Sequence, residues 1–134
     1  MSVKYPETFK SFPPANFDGL FDWDFLLPAF QGTNIEPMDI DAVIERRGKV
    51  LLFETKSEGK EIPLGQRITL DRLIILGRGN IHLMILYSKT TVSIVAMDEW
   101  SFSKGQVRRQ GIVNCDAQFV LERVIKWFQW ANIP

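Results

Sequence analysis

Two β-rich runs, MDIDAVIE (38–45) and KVLLFETK (49–56), are separated only by Arg46-Arg47-Gly48. A joint this short makes them the two arms of a hairpin. With Arg47-Gly48 at the tip of a two-residue turn, the numbers of cross-strand partners sum to 95, and a four-residue loop of Arg46 to Lys49 keeps the same register. Glu45 then faces Val50, Asp41 faces Glu54 and Asp39 faces Lys56. A three-residue loop with a bulge would slip that register by one. Directly opposed residues have Cβ atoms only ~5 Å apart, and like charges there destabilise a sheet. Asp41 opposite Glu54 is therefore a cost in a purely structural hairpin. A divalent cation between the two carboxylates would reverse the sign, because Mg²⁺ favours one or two carboxylates with water and substrate phosphate completing its shell. Lys56, two residues beyond Glu54 and on the same face, would stand beside that cation and offset phosphate charge.

The rest of the chain reads as a mixed α/β domain spanning 1–134. Pro6, Pro13 and Pro14 make residues 1–16 an extended arm. Asn16 or Asp18 caps a helix to about Leu27, with Phe17, Leu20, Phe21, Asp24 and Leu27 at helical spacing, and Pro28 and Gly32 end it. Pro63 opens a second helix, from Leu64 to about Leu76, terminated by Gly77 and Gly79. Ile81–Tyr87 and Thr91–Met97 are two further strands, and residues 101–113 contribute at most one short strand. Asn114 or Asp116 caps a last helix, Ala117 to about Ala131, whose apolar stripe is Phe119, Val120, Val124, Trp127 and Phe128.

The hairpin and the helix after it resemble a known signature. Asp41-Ala42-Val43-Ile44, a short turn, then Leu51-Leu52-Phe53-Glu54-Thr55-Lys56 is similar to the PD-(D/E)xK nuclease superfamily, with its restriction-endonuclease-like core of a central mixed β-sheet flanked by helices. Pro37 lies upstream, although not adjacent to Asp41. Gln66 resembles the glutamine that phage- and repair-type branches carry on the helix after the (D/E)xK strand. The resemblance covers roughly Asp39 to Tyr87. It implies a Mg²⁺- or Mn²⁺-dependent deoxyribonuclease, with Asp41, Glu54 and the Thr55 carbonyl as metal ligands, Lys56 as the catalytic lysine and Gln66 as active-site support. Asp39 is open to three roles: an outer ligand, the motif aspartate itself, or the ion-pair partner of Lys56. The alternative function is a catalytically silent nucleic-acid-binding or structural protein that retained the fold.

Composition narrows the partners. The formal net charge is zero, but residues 1–45 carry two bases against eight acids, a net of −6, and residues 46–134 carry fourteen against eight, a net of +6. A local basic surface binds phosphate backbones whatever the total charge. Arg67, Arg72, Lys104, Arg108 and Arg109 are the candidates, although Asp71, one turn after Arg67, is placed to neutralise it. Trp23, Trp100, Trp127 and Trp130 are aromatic enough to stack on bases, with Trp127 better placed for the core, and His82 reads as a structural histidine. The single cysteine, Cys115, excludes an internal disulfide and a cysteine-built metal site. No apolar run approaches the ~20 residues of a membrane helix and no signal-peptide pattern opens the chain, so the expectation is a cytoplasmic protein. DNA is the expected partner, and so small a nuclease would take its substrate choice from a second copy or another protein.

Overall fold

The computed structural model describes residues 21–134, in two compact units divided between Asp41 and Ala42. The expected arm of residues 1–16 and the start of the first helix lie outside the described residues. In the N-terminal unit, Asp24–Phe30 is a 3-10 helix containing Pro28, not an α-helix ending before it. Its closure is of the i→i+3 kind, Leu26 N donating to Trp23 O at 3.0 Å. Pro28 has no N–H, so an α-type ladder could not run through the segment.

The second unit is an α/β structure with a six-stranded mixed sheet in the order β1 (Ala42–Arg46), β2 (Lys49–Ser57), β3 (Ile81–Ser88), β4 (Ile94–Ser103) and β5 (Gln106–Arg109), with β6 (Val113–Asn114) also pairing β4. The β2–β3 pair is parallel and the others are antiparallel. Helix α1 (Leu64–Gly77) is the crossover that a parallel pair requires, and helix α2 (Ala117–Ala131) follows β6. Among the described residues no helix is long and apolar enough to cross a membrane.

The β1–β2 ladder has the register read from the sequence, from Ala42↔Phe53 to Arg46↔Lys49. Its two-residue turn has Arg47 at φ 55° and Gly48 at φ 81°, the two positive angles of a type I′ turn. The Glu45 carboxylate accepts from Gly48 N at 2.7 Å. The same device, Lys104 at φ 51° and Gly105 at φ 79°, joins β4 to β5. It corrects the expectation for residues 101–113: their first three residues extend β4, and β5 and β6 come after them. Strand pairing holds this polar segment in the sheet, with Phe102 and Val107 partly buried opposite each other.

Side-chain alternation gives the sheet two different faces. On one, Leu51, Met84 and Met97 form a core with Val120, Trp127 and Ala131 of α2. Asp116 caps that helix, its carboxylate accepting from Phe119 N at 2.9 Å. The apolar stripe expected on α2 is narrower than it read, since Phe119 and Phe128 are exposed. On the other face lie Leu52, Leu83 and Ile85. There α1 contacts β3, β4 and β5, with its own Leu70 and Ile74 fully buried.

Helix α1 ends with Arg78, not glycine, in the left-handed conformation, φ 51°, its N–H bonding Ile75 O. Gly77 serves another purpose: a Cβ there would lie 2.4 Å from Cγ1 and 2.7 Å from Cβ of Ile81. Gly77→Ala should therefore cost about 1–3 kcal/mol of stability through overpacking. Arg78→Gly should gain about 1 kcal/mol by removing a left-handed non-glycine residue. Urea midpoints that move in the same direction for both would refute this division of labour.

His82 stacks on Trp130 with centroids 4.7 Å apart. Burial, outweighing Glu99 and the Gly79 carbonyl, holds its pKa below the ordinary 6.5. As pH falls, the unfolded chain takes up this proton first, so the contribution is present above 6.5 and is lost as pH falls toward the folded-state value. Melting temperature should begin to decline near that pH, and His82→Gln should flatten the decline. A decline unchanged in the variant would assign the loss to carboxylates.

Candidate active site

Glu54 lies on β2 with only 3% of its surface exposed. It belongs to the face covered by α1, in a cross-strand row Glu54–Ile85–Asp98; the next row is Lys56–Tyr87–Ala96. Gln66, in the first turn of α1, donates from Nε2 to Glu54 Oε2 at 2.7 Å. That bond is charge-assisted and fixes the carboxylate's orientation. Its origin is topological: the chain leaves β2 after Ser57, and α1 starts at Leu64, after Pro63, on the face of the sheet that carries Glu54, so its first turn stands beside that carboxylate. Lys56, half-buried, comes two residues later on the same face, and Thr55 between them points to the other. These groups stand at the carboxyl ends of the parallel strands β2 and β3, where open α/β sheets bind their ligands.

Tyr87 and Asp98 are site neighbours that the sequence reading missed. Both are buried. Asp98 accepts from Trp100 Nε1 and from Gly111 N, each at 2.9 Å. Burial, with Asp98 and Glu61 nearby, raises the Tyr87 phenol above its ordinary pKa, so it remains protonated through the neutral range. The available signal was an acid inside the apolar strand VAMDEW, which calls for buried partners.

Asp39 and Asp41 are exposed and belong to the N-terminal unit, and the β1–β2 ladder starts one residue later, at Ala42. Within that unit Asp39 lines a small cleft with Trp23, Leu26 and Pro37. Arg67 and Arg72 are exposed on α1. Arg109 is engaged elsewhere: it is ion-paired with Asp71, 2.6 Å to Oδ2, and its guanidinium lies 4.3 Å from the Trp100 ring centroid. Asp71 thus pairs with Arg109, where the sequence suggested Arg67. Lys104 sits on the β4–β5 turn, at the opposite end of the sheet from Lys56, since Trp100 pairs with Leu83 near the start of β3. Arg108 is exposed beside it on β5. Trp100 and Trp127 are buried, and Trp130 is stacked on His82 and has the Lys49 ammonium 4.7 Å from its ring centroid. These three rings are therefore packing groups, and Trp23, in the other unit, is exposed.

Among the described residues, no three His, Cys, Asp or Glu side chains form a group that could hold a metal ion. The set read from the sequence is of another composition: two carboxylates and a main-chain carbonyl. These are hard oxygen donors of the kind Mg²⁺ accepts, and Glu54 is an oriented member of that kind. No protein-family model, curated protein or solved structure matches the chain.

The Glu54–Gln66 bond has a direct consequence for stability. Gln66→Ala should cost about 1–3 kcal/mol, because it removes a donor from a buried carboxylate. Gln66→Glu sets two carboxyl groups against each other, so its loss should be largest at neutral pH and shrink on acidification as one takes a proton. Two variants as stable as the parent across that range would show that the bond does not hold Glu54.

Proposed function

We propose that the chain is a divalent-cation-dependent deoxyribonuclease with a restriction-endonuclease-like core, resembling the PD-(D/E)xK nucleases. The observation that carries this reading is Glu54: a buried carboxylate at the carboxyl end of a parallel strand, oriented by Gln66, with Lys56 two residues further on the same face. The mixed sheet with helices on both faces is compatible with that core.

In this reading Glu54, the Thr55 carbonyl and, by the sequence register, Asp41 hold Mg²⁺ or Mn²⁺. When bound, the cation supplies Lewis-acid polarisation of a phosphodiester. Gln66 keeps Glu54 in its ligating orientation. Lys56 places an ammonium beside the phosphate and offsets the negative charge that develops during in-line attack by water. Tyr87, across the ladder from Lys56 and protonated, bounds the site as a neutral wall. DNA is the proposed substrate.

Incubation with linear, branched and single-stranded DNA in Mg²⁺ or Mn²⁺ should give products whose formation stops with chelation. Glu54→Ala and Asp41→Ala should abolish cleavage and remove the stabilisation by added cation, which at a hundredfold excess over Kd is about 2.7 kcal/mol. Lys56→Ala should lower turnover by about a hundredfold or more while keeping that stabilisation, because an ammonium is not a ligand. Cation-dependent DNA binding without cleavage of any substrate would instead favour a catalytically silent nucleic-acid-binding protein.

A further inference from the structure

Beyond Thr55, at the carboxyl ends of β2 and β3, a cleft of about 510 Å³ is lined by Thr55, Ser57, Ser88, Lys89, Thr90 and Thr91, with two aliphatic residues at its base. Thr55 and Ser57 alternate with Glu54 and Lys56 along β2, so the cleft opens on the opposite face of the sheet edge from those two side chains. Ser57 and Ser88 are paired across the parallel ladder, and Glu58 N bonds to Ser88 O at 2.9 Å, which ties the two rims together.

The chemistry of the lining is uniform. Five hydroxyls and one ammonium face the same space, and none of its described lining residues is acidic. Thr90 Oγ1 accepts from Val92 N at 3.4 Å, which leaves its proton to donate. Lys89 stands 3.9 Å from the Glu58 carboxylate, with both side chains more than half exposed; such a pair is weak and screened, and a bound anion displaces it readily. Hydroxyls and lysines are the groups that hold phosphate oxygens without reading bases. Aromatic residues, which a nucleobase would need, do not line this cleft among the described residues.

We infer that this cleft holds the sugar–phosphate backbone next to the phosphate presented to Glu54 and Lys56, so that the nucleic-acid chain crosses the carboxyl edge of β2 and β3 from one face of the sheet to the other. The inference rests on the nuclease reading for the identity of the ligand. It moves the phosphate-binding surface from the β4–β5 turn, where Lys104 stands at the other end of the sheet, to the Ser88–Thr91 loop. It also gives the Thr55–Ser57 strand end two functions, one on each face.

Fluorescence anisotropy with short labelled single-stranded and duplex DNA, in Ca²⁺ to suppress turnover, tests this across a salt series. Lys89→Ala combined with Thr91→Val, both at exposed positions, should raise Kd about tenfold. The slope of log K against log salt should fall by about one. Lys104→Ala should change neither. Lys89→Glu should weaken binding further, with an unchanged melting temperature showing that the fold is intact. If the parent cleaves DNA and the cleft variants keep its Kd, KM and salt slope, the cleft assignment is overturned and the nuclease reading stands. If the parent binds with this dependence on Lys89 but cleaves nothing in Mg²⁺ or Mn²⁺, the nuclease reading falls and the phosphate cleft remains. A parent that neither binds nor cleaves DNA overturns both.

Discussion

The parallel pairing of β2 with β3 is the constraint on which the site depends. Parallel neighbours cannot be joined by a tight turn, so the chain must leave β2, cross one face and re-enter beside it. Helix α1 is that crossing. It packs on β3, β4 and β5; Gln66 in its first turn meets Glu54 of β2, and Asp71, further along, meets Arg109 of the edge strand β5. One connection thus orients a buried carboxylate and fastens the far side of the sheet. The second buried acid of that face, Asp98, is satisfied within the sheet's own edge by Trp100 and the Gly111 N–H.

The opposite face is organised by α2, and the hairpin helps to hold its end. Lys49 donates to the carbonyls of Trp130 and Ile133, at 3.3 and 2.8 Å. A cation there complements the negative end of the helix. The same ammonium covers one side of the Trp130 ring while His82 stacks on it. Arg123 of α2 forms a two-pronged pair with Glu99 of β4, at 2.6 and 2.9 Å. These contacts fix α2 against strands on both sides of the core formed by Leu51, Met84, Met97, Val120, Trp127 and Ala131.

Ion pairing changes the meaning of the charge asymmetry. Residues 46–134 carry a net charge of +6, yet Arg46, Lys49, Arg109 and Arg123 are engaged with Asn132, helix carbonyls, Asp71 and Glu99. Several of the cations are structural, and the basic surface is smaller than the count. A phosphate ligand is then better served by a few well-placed donors at the carboxyl edge of β2 and β3 than by a broad basic field. That edge also carries Glu54 and Lys56, so in the proposed reading binding and chemistry would share one strand end.

How far the chain's own residues reveal this depends on the range of the forces involved. The β1–β2 register was legible because turn length and period-two alternation are local, and the Arg47-Gly48 turn alone sets Ala42 opposite Phe53. The extent of α1 was legible for the same reason, and so was a cap at Asn114 or Asp116, of which the structure uses Asp116. Glu54, Lys56 and Gln66 could be singled out by type and spacing. The sequence could not reveal that Gln66 lies 2.7 Å from Glu54, because that distance depends on how α1 docks across the sheet. Strands β5 and β6 were obscure because polar edge strands owe their conformation to ladder partners and not to an apolar pattern. The 3-10 helix at Asp24–Phe30 and the left-handed Arg78 departed from expectation at places where one missing donor or one close side chain overrides propensity. Composition alone could not sort cations held tightly in ion pairs from those left in weak, exposed ones. Arg109 and Lys89 are equal in charge, and only the tertiary structure sets one against Asp71 and Trp100 and the other at the rim of an open hydroxyl-lined cleft, because an ion pair is decided by distance and burial, not by sequence position.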